Sequence, residues 1–177
     1  MEVRIRPFAA PGTVRVRPIA AGDREGLMRF YAGLSPNSLE ARFLGAAPGI
    51  PEATARFFCG PDHEHREGLV AEAIDASGRR RIVGHLCLEP SANDRVEMAL
   101  AVADAWRRRG IGRELLDEAI TWTRAHGITG LDASMRWSNG AILGLVRSTG
   151  LPVRFGAVDG GIIDLSLDLG AARRSAA

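Results

Sequence analysis

Arg107-Arg108-Arg109-Gly110-Ile111-Gly112 is the stretch whose reading decides the fold. Before it, residues 96–102 (Val-Glu-Met-Ala-Leu-Ala-Val) alternate in the manner of a strand. After it, residues 112–126 carry Leu115, Leu116, Ala119, Ile120 and Trp122 at helical spacing. A glycine-bearing turn between a strand and a helix start brings backbone N–H groups together. The helix dipole adds partial positive charge at the same point. Arginines beside such a turn suit phosphate oxygens, which a guanidinium fork binds bidentately. The stretch therefore points to a phosphate-bearing ligand held in mid-chain.

The alternation ahead of the turn separates two faces. Val96, Met98, Leu100 and Val102 form a bulky face that belongs in a core. Glu97, Ala99, Ala101 and Ala103 form the other, with one carboxylate over a floor of alanines. Such a floor leaves space for a ligand. Partial desolvation there is expected to raise the Glu97 pKa, which suits a general base working near neutral pH. A solvent-facing Glu on an exposed strand is the equally available reading of the pattern.

Outward from this centre, residues 130–135 read as a strand, residues 139–148 as a helix and residues 162–167 as a last strand. Gly127 is the C-terminal cap of the long helix. Toward the N-terminus, strands at residues 68–74 and 82–88 flank Asp75-Ala76-Ser77-Gly78-Arg79, a hairpin signal. Short helices are expected at residues 39–44 and 51–59. Asp23 is placed as N-cap of a helix carrying Leu27, Phe30, Tyr31 and Leu34. A near repeat opens the chain: Val3-Arg4-Ile5-Arg6-Pro7-Phe8-Ala9 and Val14-Arg15-Val16-Arg17-Pro18-Ile19-Ala20. The second copy reads as the first core strand. The first copy, within residues 1–12, reads as an arm or extra edge strand. Residues 13–169 form one domain, and residues 170–177 read as a flexible tail. Hairpins ahead of a single strand–helix–strand unit give an α+β fold with a mixed sheet.

Bulk properties narrow the function. A length of 177 residues suits one domain with one substantial core. The net charge of +2 does not call for nucleic acid, and no apolar run approaches a membrane span. All 23 residues counted as Lys+Arg are Arg, so the chain has no ε-amino group of its own. Cys59 and Cys87 are too far apart for a redox or zinc pair and fit buried thiols in a reducing compartment. The expectation is a cytoplasmic protein without a metal.

Competing motifs are weaker. Gly110-x-Gly112 begins a dinucleotide fingerprint, and Asp132 lies near the ribose spacing, but Leu115 replaces the third small residue and about a hundred residues precede the turn. A Walker loop is excluded because there is no Lys. Asp62-His63-Glu64-His65 reads as a solvated loop, Arg79-Arg80-Arg81 as a solvated hairpin edge, and His85 as a packed or half-exposed strand residue. Asp132, Asp164 and Asp168 show no catalytic spacing.

The segment from Glu97 through Trp106, Arg107, Gly110 and Gly112 to Leu116 resembles the acetyl-CoA-binding motif of the GNAT superfamily of N-acetyltransferases. The pattern Gln/Arg-x-x-Gly-x-Gly/Ala is met by Arg107, Gly110 and Gly112. Asn139-Gly140-Ala141-Ile142 with Gly150-Leu151 is similar to the superfamily's Asn-x-x-Ala helix ending in Gly-Phe, with Ile142 for Ala and Leu151 for Phe. Leu34-Ser35-Pro36-x-Ser38-Leu39-x-x-Arg42-Phe43, Glu97 and Val102-Ala103-Asp104-Ala105-Trp106 resemble the acetyltransferase domain of bacterial protein-lysine acetyltransferases.

This resemblance implies a mostly antiparallel central sheet flanked by helices. It implies acetyl-CoA as cosubstrate, with its pantetheine arm on the backbone of Ala101 and Val102. The pyrophosphate would lie on the amides of the turn Arg108, Arg109, Gly110, Ile111, Gly112 and Arg113, with Arg107 opening the cofactor motif and Asn139 contacting the cofactor farther along. Glu97 would be the general base. The acceptor would be an amine, a protein lysine by the subgroup likeness, attacking directly so that neither cysteine is a nucleophile. Many superfamily members place a Tyr acid where this chain has Val146. A small-amine acceptor remains open, as does a non-catalytic acyl-CoA-binding module. Either a monomer or a homodimer is compatible with the sequence.

Overall fold

The computed structural model describes residues 5–7 and 12–170. Val14 and Val16 alternate with Arg15 and Arg17, so β2 (Gly12–Pro18) buries its valines on one face. On the other face Arg15 and Arg17 pair with the buried Glu72, and Arg17 also pairs with Asp23. β1 (Ile5–Pro7) lies antiparallel to β2. Val3, Arg4, Phe8 and Ala9 of the first near-repeat copy, and residues 171–177 of the tail, lie outside the described residues.

Three helices follow: α1 (Arg24–Ala32), α2 (Pro36–Phe43) and α3 (Glu52–Phe58). Asp23 does not cap α1 with its side chain. Its carboxylate instead accepts the Ala20 N–H at 2.8 Å, closing a single 3-10 turn, and takes two bonds from Arg17 at 2.7 Å. A strong cation nearby outcompetes the helix amides. α2 starts earlier than its apolar spacing suggests, because Ser35 accepts the Ser38 N–H and Pro36 occupies the first turn.

β3 (Glu67–Asp75) and β4 (Arg80–Pro90) form the expected hairpin. The Asp75 carboxylate accepts the N–H groups of Ser77 and Arg79, and Gly78 supplies the positive φ of 81°. β5 (Arg95–Val102), α4 (Ile111–Ala125) and β6 (Gly130–Arg136) make the strand–helix–strand unit. α5 (Gly140–Arg147), β7 (Val153–Asp159) and β8 (Ile162–Asp168) complete the chain. β7 is absent from the reading of the sequence. Its residues are mostly exposed, so it lacks the apolar alternation of a core strand, and its pairing with β8 is broken between Phe155 and Val158.

The eight described strands form one sheet in the order β1-β2-β3-β4-β5-β6-β8-β7. Only β5 and β6 pair in parallel, as a strand–helix–strand crossover requires. One face packs on α4 and α5 through Leu86, Leu88, Val96, Met98, Leu115, Leu116, Leu131 and Leu165. The other packs on α1–α3 through Leu27, Phe30, Tyr31, Leu39 and Val70. The close seat of α4 depends on Gly84, where an added Cβ would lie 2.9 Å from Leu115 Cδ1 and 3.2 Å from Ile111 Cγ2. This is the α+β architecture with a mixed, mostly antiparallel sheet.

Candidate active site

β5 keeps an unbroken register with β4, from Gly84 opposite Val102 to Pro90 opposite Val96. Its register with β6 covers only Arg95, Glu97 and the residue between them, opposite Gly130, Leu131 and Asp132. Beyond Glu97 the two strands diverge. Ala103 gives its N–H to Val83 on the β4 side at 2.9 Å. By strand alternation the backbone groups of Leu100 and Val102 then face the open β6 side. This is a length of sheet edge with hydrogen-bonding groups to offer to an extended ligand.

The opening leads to the turn. Arg108 has φ 59° and Gly110 φ 84°, and α4 begins at Ile111. Glu114 N–H finds Gly110 O at 3.0 Å. Among the described residues the N–H groups of residues 108–113 have no acceptor. A Cβ placed on Gly110 would meet nothing within 4 Å, so the space outside the turn is open. Unpaired amides, open space and the positive end of a 15-residue helix fit a pyrophosphate.

The arginines of the turn divide by partner. Arg107 donates to Ser38 Oγ at 2.7 Å and lies 3.3 Å from Asp104. Arg109 lies over the Trp106 ring at 5.0 Å from its centroid, and Arg81 lies over the same ring at 5.1 Å. Arg113 is held by Asp117 at 2.8 Å and by Ser148 O at 2.6 Å, tying α4 to α5. Arg108 is exposed. Ile111 is buried at 1% exposure, so only its amide can face a ligand. Gly112 faces Leu100, Val102 and Leu145 across ordinary contact distances. Asn139 caps α5 by accepting the Ile142 N–H at 3.3 Å.

Glu97 stands in a polar row across the sheet. Glu89 of β4, Glu97, Asp132 of β6 and Ser166 of β8 are aligned by register. Glu89 is paired with Arg66, and Asp132 with Arg95 and Ser166. The Arg95 bonds, helped by Ser166, hold the Asp132 carboxyl below the usual carboxylate range. Glu97 has no hydrogen-bond or ion-pair partner among the described residues. It lines an open cleft of about 290 Å³ with Ser91, Asp132, Ser134, Asp164 and Ser166.

Two expectations about this face need correction. The alanine floor is not open along its length: Ala101 is 9% exposed and Ala103 is half-buried, both against the α1–α3 core. Glu97 itself is exposed, so the chain alone does not provide the desolvation anticipated for it. The position of the superfamily's Tyr acid, Val146, is buried in the core under α5 at 1% exposure. Tyr31 is fully buried on the other side of the sheet, its hydroxyl 2.8 Å from His85 Nδ1. Burial pushes its pKa up to about 12.

Sequence reading missed Asp132, Ser134 and Asp164 as cleft residues. They come from β6 and β8, and only their shared face with Glu97 across the sheet brings them together. Alternation along β6 was the available signal. It also missed the ties of Ser35 and Ser38 to Asp104, which join residues about 70 positions apart.

A model of the acetyltransferase (GNAT) family matches residues 38–150. The GNAT domain of PAT from S. lividans is similar at 25% identity and a TM-score of 0.80, covering 94% of this chain and 96% of that one. A phosphinothricin acetyltransferase of the same superfamily from Sinorhizobium meliloti, in complex with AcCoA, has a TM-score of 0.70 at 19% identity, covering 92% of each chain. The ribosomal-protein-S18-alanine N-acetyltransferase of Escherichia coli has a TM-score of 0.63 at 18% identity, covering 93% of this chain and 99% of that one. No described helix is long and apolar enough to cross a membrane.

Proposed function

From the premise that the chain belongs to the acetyltransferase (GNAT) family, we propose that it transfers acetyl from acetyl-CoA to the primary amine of a protein lysine. The observation that carries this reading is the order along β5, where the unpartnered Glu97 in its cleft is followed by an open strand edge and then by the amide-lined turn. Acetyl-CoA supplies a thioester carbon open to attack by a neutral amine.

The amides of residues 108–113 would hold the pyrophosphate, with the side chain of Arg108 beside them. Arg107, Arg109 and Arg113 shape the turn from behind through Ser38, Trp106 and Asp117. The backbone of Val102, with Leu100 rather than the expected Ala101, would hold the pantetheine arm, because by alternation the Ala101 groups face His85 of β4, and Asn139 would contact the cofactor farther along. Glu97 takes the proton from the ammonium or the attacking amine, directly or through a water. An exposed carboxylate can receive an approaching cation, and a seated acceptor would itself shield Glu97 from water. Asp164 beside Glu97, bonded to Ser134 and without an ion pair among the described residues, favours a positively charged acceptor arriving from solvent. Val146 offers no proton, so the departing thiolate takes one from water or leaves as the anion.

The protein-lysine assignment draws on the segment from Leu34 to Phe43 and on the similarity to PAT. A small polyamine is the second reading, favoured by the modest size of the cleft. Thiol release from acetyl-CoA with lysine-bearing proteins, peptides and small amines tests the proposal. Efficient labelling of protein lysine is expected. Turnover confined to small amines would reassign the acceptor. Tight acetyl-CoA binding with no thiol release from any amine would make the chain a binding module.

A further inference from the structure

The segment from Ser35 to Phe43 is tied to the residues just before the cofactor turn, to β6 and to β4. It forms α2 with its N-cap. The Asp104 carboxylate accepts the Ser35 N–H at 3.0 Å, the Ser35 hydroxyl at 3.2 Å and the Ser38 hydroxyl at 2.6 Å. Arg107 donates to the same Ser38 oxygen at 2.7 Å, and Ser38 is buried. Burial alone would raise the Asp104 pKa, but these hydrogen bonds and the Arg107 charge hold it below the ordinary range. In mid-helix, Glu40 pairs with Arg136 of β6, two residues along the cleft face from Ser134. At the far end, Arg42 donates to Cys87 Sγ at 3.2 Å and lies over the rings of Phe43 and Phe58.

A helix of eight residues has little stability of its own, so these ties set where it lies. Two of its partners, Asp104 and Arg107, belong to the short segment that leads directly into the cofactor turn. Arg107 Nε also makes a long contact to Val102 O at 3.4 Å, on the open edge of β5. Whatever engages Val102 O and the amides of residues 108–113 therefore acts on the residues that anchor α2.

We propose that Ser38 and Asp104, acting through Arg107, are positioning residues that couple the cofactor turn to the acceptor cleft. Restraining the turn fixes Asp104 and Arg107, which fixes α2 and with it the Glu40–Arg136 edge of the cleft. By linkage, a seated acceptor strengthens CoA binding by the same factor as CoA strengthens acceptor binding. The inference rests on the cofactor reading given above.

Hydrogen exchange of α2 amides with and without CoA, beside calorimetry of CoA binding, tests it on wild type, Ser38→Ala and Asp104→Asn. In wild type, CoA is expected to slow α2 exchange by roughly tenfold, a mid-range coupling. Ser38→Ala is expected to bind CoA and lose that slowing, with the acceptor KM raised more than kcat is lowered. Asp104→Asn keeps a carbonyl oxygen for Ser35 and is expected to lose part of it, which covers the case in which Ser38→Ala does not fold. Equal slowing in wild type and both folded variants would overturn the coupling. CoA binding to wild type with no change in α2 would overturn it as well. If wild type shows no heat with CoA, the cofactor reading fails, and this inference with it.

Discussion

Gly110 and Gly112 stand two residues apart in the turn, and alanine should act on them with opposite sign. Gly110 has φ 84°, a conformation that costs a non-glycine residue about 1–2 kcal/mol, and its Cβ would find no packing partner within 4 Å. Gly112 lies in the first turn of α4 with ordinary helical backbone. An added Cβ there sits 3.6 Å from Leu145 Cδ2 and 3.8 Å from Leu100 Cδ2 and Val102 Cγ2, which is van der Waals contact without overlap. Helix propensity then favours alanine by up to about 1 kcal/mol. A domain of this size shifts its Tm by about 2–4 °C per kcal/mol. Gly110→Ala should therefore lower Tm by roughly 2–8 °C, and Gly112→Ala should leave it unchanged or raise it by up to about 4 °C. Calorimetry should show weakened CoA binding for Gly110→Ala, because the amides around it move. Gly112→Ala should retain CoA affinity, because its methyl points into the core. A wild-type Tm for Gly110→Ala, or greater destabilisation by Gly112→Ala, would refute the reasoning.

His85 is buried and pushed down to about 3, chiefly by desolvation and then by the Arg42 charge. Its folded pKa lies below the unfolded value near 6.5, so the unfolded chain binds the extra proton between the two. Stability should fall as pH drops through that window, by at most ~1.4 kcal/mol per unit for this one group, and Tm against pH should be flatter in His85→Gln. Val146→Ala removes packing at a buried site and should cost on the order of 1–3 kcal/mol. Its pH–rate profile should keep the wild-type shape; loss of an alkaline or acidic limb would mean that this position influences a proton donor.

The strand–turn–helix centre was legible because local patterns determine it: alternation over residues 96–102, glycine at the turn, and helical spacing from Leu115 to Trp122 all agree. Glu97 falls on the face opposite Val96 and Met98 because no bulge interrupts β5. β7 was hidden because neither of its faces is buried, leaving no periodic signal. The state of the Glu97 face was not legible either. Whether alanines form an open floor depends on where α1 and α2 come down, and these helices come from about 60 residues upstream. The arginines of the turn share one residue type but not one role, since Ser38, Trp106 and Asp117 engage three of them at separate points. Their partners are set by tertiary contacts that no local spacing encodes.

The most direct test is acetyl transfer from acetyl-CoA to a lysine-bearing protein by wild type and Glu97→Gln, with CoA affinity measured on both. The account predicts equal CoA affinity and a loss of turnover on the order of 10²–10⁴ in the variant, the range for removal of a general base. That loss should shrink at high pH, where the acceptor amine is already neutral. Wild-type turnover and an unchanged pH dependence in Glu97→Gln would contradict it and leave Glu97 a solvated residue at the edge of the cleft.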